Sequence, residues 1–140
     1  MSMLGDLIYE AKGRVVGQRI LEVEPRIKVE NTILLDGLIH GTVNITDIGT
    51  FINTITDNTA YYSQGHGFMT TQDRREMAKW TAQGIRELKV NENGKSLFRG
   101  SAFYLTVSKR KLAFLNNNMT VFESEVDSTG NISNKEWEWK

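Results

Sequence analysis

The 140-residue chain contains no cysteine, and this absence excludes several classes of site at once. Without a thiol there is no disulfide framework, thiolate metal site or cysteine nucleophile. The chain also has a single proline, and no apolar run approaches the roughly 18 residues that a membrane helix needs. The first residues lack a basic segment followed by an apolar one. We therefore expect a cytoplasmic protein with no membrane partner.

The chain has no charge excess of either sign, with 17 Lys and Arg against 17 Asp and Glu. Proteins dedicated to nucleic acids usually carry a basic excess that neutralises phosphates. Positive charge is clustered only at Arg74-Arg75 and at 109–111, where the pattern predicts solvated hairpin tips. We expect no nucleic-acid partner.

The motifs that hold common cofactors are also missing. Gly65-His-Gly67 lacks the third glycine of a dinucleotide-binding loop, and no Walker lysine, His-Glu-x-x-His or Gly-x-Ser-x-Gly pattern occurs. The two histidines, His40 and His66, lie far apart without acidic neighbours, which is a poor basis for a metal site. We expect neither cofactor nor metal, the catalytic residues are unknown, and the sequence leaves open whether the protein is an enzyme.

What the sequence does contain is an alternation of apolar and polar residues with a period of two. Such alternation predicts half-buried strands, and it occurs at 26–30, 121–126 and 136–140. In the last of these we expect Trp137 and Trp139 to face inward. The pairs Asp36-Gly37, Asn93-Gly94 and Thr129-Gly130 favour tight hairpin turns between strands.

These patterns predict one all-β domain over residues 1–140, a closed antiparallel barrel of about eight strands. The expected strands, some of them bent or merged, are 6–16, 18–23, 26–35, 38–48, 60–71, 77–88, 95–107, 111–126 and 131–140. Closure favours a barrel because it leaves no exposed sheet edge. Glycines recur inside these strands, where they mark barrel corners or, alternatively, make room for a ligand in the lumen.

The alternation also predicts which side chains face inward. If Lys79 and Glu87 face solvent, Trp80 and Ala82 face the interior, and Phe122 does so by the same logic. The segment 97–107 is apolar on both faces, so its outer face needs cover. The simplest cover is a second copy of the chain, and we expect a homo-oligomer, in the simplest case a homodimer.

Four stretches resemble a group of small uncharacterised prokaryotic proteins: 80–84 (WTAQG), 98–104 (FRGSAFY), 111–116 (KLAFLN) and 121–127 (VFESEVD). The order of a Gln-Gly strand, a hairpin and a Phe-x-Gly strand is also distantly similar to allene oxide cyclase-like barrels. The resemblance covers residues 60–140 and implies an eight-stranded barrel, allene oxide cyclase-like or lipocalin-like, with an apolar ligand in its lumen. No catalytic position of the cyclases matches this chain.

The predicted function is therefore the binding of a small, largely apolar ligand in the lumen. The expected wall residues are Tyr62, Gln64, His66, Trp80, Tyr104 and Phe114. The plainer interpretation of His66 is an exposed or a core histidine. Two alternatives remain: an isomerase or cyclase that uses His66 or a buried carboxylate, and a packed barrel with a structural or interaction role.

Three further residues are candidates without a distinguishing signal. Glu10 and Asp47 are conceivable acids near the barrel ends, and Arg99 could bind a carboxylate if it faced inward. The more ordinary interpretation of Arg99 places it on the outer rim of an oligomer.

Overall fold

The computed structural model describes residues 4–55 and 59–139. This part of the chain forms eight strands and one short 3-10 helix, Ala113–Leu115. The strands are β1 Leu4–Glu22, β2 Lys28–Ile39, β3 Val43–Ile55, β4 Ala60–Thr71, β5 Met77–Glu87, β6 Lys95–Leu105, β7 Asn118–Asp127 and β8 Asn131–Trp139.

Each strand pairs antiparallel with its neighbour in sequence, and β8 pairs with β1 to close the barrel. The predicted fold class is therefore confirmed. Closure follows from the length of β1, which bends at register shifts after Val15 and Ile20 while it pairs with β2, and which also pairs with β8. A bulged, strongly twisted strand of this kind lets a small sheet curl onto itself.

The two ends of the barrel differ. At one end the β6–β7 connection folds over the lumen, and its Leu112 and Leu115 are fully buried in the core. Glu76 fixes this connection, because its carboxylate accepts hydrogen bonds from the Leu112 backbone N–H, at 2.9 Å, and from the Ser108 hydroxyl. We call this the closed end. The other end, where β5 leads into β6 and β7 into β8, is called the open end.

Most strand predictions agree with the structure, but the Asp36-Gly37 turn is wrong. Both residues lie inside β2, where Gly37 pairs with Ala11 on one side and Ile45 on the other. A Cβ at Gly37 would lie 2.6 Å from the Tyr9 ring and 2.7 Å from the Ala11 Cβ, so the glycine is required by close packing. The turn lies at His40 and Gly41, which have φ angles of 51° and 71°. The predicted turns at Gly94 and Gly130 do have positive φ.

The orientation predicted for the C-terminal strand is also wrong. Glu136 is buried, whereas Trp139 is 47% exposed. The alternation identifies the two faces of the strand, but the packing of the neighbouring strands decides which face lies inside the barrel. Glu136 pairs with Tyr9 and with Phe122, and both of these side chains are buried.

Candidate functional site

The lumen contains a cavity of about 70 Å³ that is connected to solvent. Seven of the eight strands, all except β4, contribute inward-facing side chains to its wall. Because Leu112 and Leu115 fill the closed end, the connection to solvent lies at the open end. One ordered water needs about 10–15 Å³ measured in this way, so the space holds a few waters or a few heavy atoms of a ligand.

Four aromatic rings from β3, β5, β6 and β7 form a continuous belt in the wall of this cavity. Ring centroids are 5.5 Å apart for Phe51 and Trp80, 5.4 Å for Phe51 and Phe98, and 5.0 Å for Phe98 and Phe122. The last two pairs meet edge to face, a favourable geometry for aromatic pairs. The belt gives the cavity a largely apolar middle section.

Strand glycines make the space that these rings occupy. A Cβ at Gly67 or Gly49 would overlap the Trp80 indole, and one at Gly65 would lie 2.5 Å from the Phe51 ring. A Cβ at Gly84 would lie 2.6 Å from the Phe98 ring, and one at Gly100 would lie 2.8 Å from the Phe122 ring. The glycines therefore accommodate large aromatic side chains inside a narrow barrel.

Asp47, on β3, lines the cavity toward the closed end and is 4% exposed. Its Oδ1 accepts a hydrogen bond from Trp80 Nε1 at 2.7 Å, and its Oδ2 accepts one from the Tyr9 hydroxyl at 3.0 Å. Burial raises the pKa of Asp47 to about 7, and the negative charge of Glu136 adds to the rise, although both hydrogen bonds oppose it. This carboxyl can therefore exchange a proton near neutral pH.

Glu136, on β8, is the second buried carboxyl of the cavity wall. Its Oε2 accepts hydrogen bonds from the Tyr104 hydroxyl at 2.8 Å and the Thr120 hydroxyl at 3.0 Å. Burial raises its pKa as well. None of the ion pairs in the described part of the chain involves either carboxyl. An unpaired buried carboxylate is costly, so both acids are biased toward the neutral form.

Arg86, the penultimate residue of β5, is the basic residue of the cavity wall and lies near the open end. Its Nε donates a hydrogen bond to the Ser96 hydroxyl at 3.0 Å, and its guanidinium carbon lies 5.8 Å from the centroid of the Tyr61 ring. Burial lowers the pKa of Arg86. It also lines a shallow outer groove of about 190 Å³, so it stands between the lumen and the surface.

Two of the six predicted wall residues face the lumen. Trp80 lines the cavity itself, and Tyr104 lies behind Glu136 with its hydroxyl on that carboxyl. Phe114 lies in the 3-10 helix of the β6–β7 connection, where its ring is 4.5 Å from the ring of His40. It packs against the core outside the cavity.

The other three predicted wall residues lie on the outer face of β4. Ser63 and Met69 are buried, so Tyr62, Gln64 and His66, which have the opposite parity, point outward. The Tyr62 hydroxyl donates a hydrogen bond to Gln83 Oε1 at 3.1 Å at the surface. The expectation that these three side chains line the lumen is therefore corrected: the inward positions on either side of His66 are Gly65 and Gly67, beside the Phe51 and Trp80 rings.

The inward arginine is also not the one considered from the sequence. Arg99 lies on the outer face, where its Nη2 is 3.5 Å from Glu87 Oε1, whereas Arg86 lines the lumen. Glu10 is exposed, and Asp47 is inward. Glu136 was not identified from the sequence as a site residue, because Trp137 and Trp139 were expected to face inward. The sequence offers only a weak signal for the opposite orientation, namely that Asn134 and Glu136 lie on the same face of β8. The structure shows that this face is buried.

Within residues 4–55 and 59–139, no group of three His, Asp or Glu side chains could hold a metal ion. No helix there is long and apolar enough to cross a membrane.

The fold and the wall define a closed eight-stranded antiparallel barrel with a small polar-aromatic cavity. A conserved protein of unknown function from Rhodopseudomonas palustris shares this fold: it matches 98% of this chain and 99% of its own, with a TM-score of 0.75 and 13% identity. A protein of unknown function from Clostridium acetobutylicum matches 100% of this chain and 99% of its own, with a TM-score of 0.75 and 12% identity. No family model matches the chain, nor does any curated protein. At these identities the likeness shows the fold alone.

Proposed function

We propose that the protein binds a small, largely apolar ligand in the lumen of the barrel. The observation that carries the proposal is the solvent-connected cavity between the aromatic belt and the carboxyls of Asp47 and Glu136. An apolar wall with a few convergent polar groups and shifted pKa values is typical of ligand sites. The distant similarity to allene oxide cyclase-like barrels, whose lumen holds an apolar ligand, agrees with this proposal.

The cavity also limits the size of the ligand. An apolar cavity of about 150 Å³ is known to hold benzene, and the space here is about half as large. The ligand is therefore either a compound of a few heavy atoms or a longer molecule that inserts one end through the open end. Its apolar part lies against the rings, and its polar group contacts a polar side chain of the wall.

Binding is tested with two leucine variants on the same strand. Ala82 lines the cavity, whereas Thr81 beside it is exposed. We expect isobutanol and isobutyramide to raise the melting temperature of the wild type and of Thr81→Leu. They should have no effect on Ala82→Leu, whose side chain fills the cavity. NMR titration should place the shifted resonances on inward residues. Equal responses of all three proteins, or none from the wild type, would refute lumenal binding.

A second candidate function is acid–base catalysis, of the isomerase or cyclase type, on an apolar substrate. The observation in its favour is that Asp47 lines the cavity with a pKa raised to about 7. A general acid or base is most effective when its pKa lies near the working pH. The acid–base group of this candidate is thus Asp47 rather than His66, which lies on the outer face.

Self-association, too, is a proposal supported by the outer surface. Phe103 is 37% exposed and faces Met119, which is 48% exposed, across β6 and β7. We expect light scattering to give twice the chain mass, and Phe103→Lys to reduce it to the chain mass. Ile20→Lys, at an exposed position on β1, should leave the dimer intact. A wild type with the mass of one chain would exclude the dimer.

A cytoplasmic location likewise stays a prediction from the sequence.

A further inference from the structure

The guanidinium of Arg86 has capacity for a ligand. An arginine carries five N–H donors, and the one hydrogen bond from this side chain to a described residue is that of Nε to Ser96. Ser96 is itself fixed, because it is 4% exposed and its hydroxyl lies 3.4 Å from the Val126 carbonyl oxygen. One edge of the guanidinium is thus held, while its two terminal NH2 groups donate to none of the described residues.

The nearby carboxylates in the described residues are engaged elsewhere. Glu87 pairs with Arg99 on the outer face. Asp127, which lines the outer groove beside Arg86, accepts hydrogen bonds from Thr129 and Asn131 in its own turn. Arg86 is therefore a partly buried cation whose charge is not neutralised by a carboxylate of the described chain.

The rest of the site fits an anion with an apolar tail. The planar fork of an arginine matches the two oxygens of a carboxylate. Asn31, also in the cavity wall, accepts a hydrogen bond from Gln18 at Oδ1, and its amide nitrogen donates to no residue in the described part of the chain. Inward from Arg86 the wall becomes apolar, with the rings of Phe98 and Phe51 in the aromatic belt.

We propose that the ligand of the lumen is a small carboxylic acid in its ionised form, with its carboxylate on Arg86 at the open end and its apolar tail inside the aromatic belt. This inference rests on the proposed lumenal binding and specifies the class of ligand. The tail enters first, because the polar head is held where the cavity meets solvent. Ser96 and the Tyr61 ring hold the Arg86 side chain in place, so that its guanidinium is preorganised for the ligand.

The test compares two carboxylates, isobutyrate and propionate, with their uncharged counterparts isobutyramide and propionamide. Each pair has nearly the same shape, so a difference in affinity reports the charge. We expect each carboxylate to bind the wild type about tenfold more tightly than its amide, the order expected of charge-assisted hydrogen bonds in a partly desolvated site. Calorimetry or NMR titration measures the ratio.

Three variants locate the effect. Arg86→Gln should remove the preference for carboxylates while the amides still bind, and Arg86→Lys should restore only part of it because the fork is lost. Arg99→Gln, a matched change at the outward arginine of the next strand, should leave the preference intact. Ala82→Leu should abolish carboxylate binding, because the tail no longer fits.

The outcomes separate this inference from the function on which it rests. If amides and carboxylates bind the wild type equally, the lumen binds ligands but Arg86 does not select an anion, and the inference is wrong. If carboxylates still bind Ala82→Leu, they lie in the outer groove, and the inference is also wrong. If none of the four compounds binds the wild type, lumenal binding fails as well. Since the wild-type ratio needs no variant, an unfolded Arg86→Gln does not remove the test.

Discussion

Gly67→Ala is expected to destabilise the barrel by about 3 kcal/mol, whereas Gly17→Ala leaves its stability unchanged or slightly raised. A methyl group at Gly67 would lie 2.5 Å from Trp80 Cζ2 and 2.7 Å from the Cα of Gly49, and it would overlap the Ile48 carbonyl oxygen. Two of these three neighbours are backbone, so the contact cannot be relieved by a change of rotamer. Either the sheet separates locally or Trp80 leaves its position.

Gly17 is the matched control because it is also a strand glycine, on β1. Its nearest neighbour for an added methyl group is the Thr32 Cβ at 3.8 Å, an ordinary van der Waals distance. Urea denaturation of the three proteins, followed by tryptophan fluorescence, measures the difference. Equal midpoints for Gly67→Ala and Gly17→Ala would mean that the inward glycines do not make room for the aromatic belt.

Asp47→Asn is expected to raise stability by about 3 kcal/mol more at pH 8 than at pH 5. Burial raises the pKa of Asp47 from 3.8 to about 7, so the folded protein holds a proton that the unfolded chain has released. The stability associated with that proton is complete below pH 4 and is lost as the pH rises through about 7. Asparagine has no proton to lose and keeps an oxygen for the Trp80 N–H.

Denaturation curves of both proteins from pH 5 to pH 8 check this expectation, with Glu10→Gln as the exposed control. The neighbours that also titrate or carry charge are Tyr9, Tyr104 and Glu136, and they are present in every variant compared. A stability difference between Asp47→Asn and the wild type that is the same at both pH values would show that Asp47 is ionised throughout.

The same variant distinguishes the two candidate functions. A binding site that uses Asp47 only as a hydrogen-bond acceptor should retain its probes in Asp47→Asn. An acid–base enzyme should bind its substrate and form no product. A carboxyl that costs stability at neutral pH is also an argument for a role in the lumen, since perturbed acids of this kind are concentrated at functional sites.

Much of the fold could be predicted because local chemistry and tertiary structure agree. The strand at 60–71 was predicted with its observed bounds, and the strands at 77–88 and 131–140 to within one residue. Alternation and turn glycines are local signals, and most strands and turns of the barrel agree with them. Asp36-Gly37 shows the limit of such signals, since the same dipeptide serves a turn in one context and close packing against Tyr9 in another.

The site was predicted less well because it depends on which face of each strand is inside. Lysine and glutamate on one face of β5 oriented Trp80 correctly, but β4 offers no charged residue to orient it. The face of β4 that carries Tyr62 and His66 was therefore assigned to the lumen, whereas the opposite face, with Gly65, lies inside. In β8 the two tryptophans suggested that their own face is inward, but the inward face is the one that carries Glu136.

The sequence by itself determined the all-β class, the antiparallel meander and the absence of cysteine chemistry, because these depend on residue type and short-range spacing. Only the tertiary structure decided that Asp47, Glu136 and Arg86 share one lumen, since they come from three strands that are distant in sequence. It also decided the size of the cavity. The cavity volume is the space of the lumen minus the volume of the four rings, for which glycines on several strands make room. A local sequence pattern cannot predict this difference, because it depends on residues from many strands.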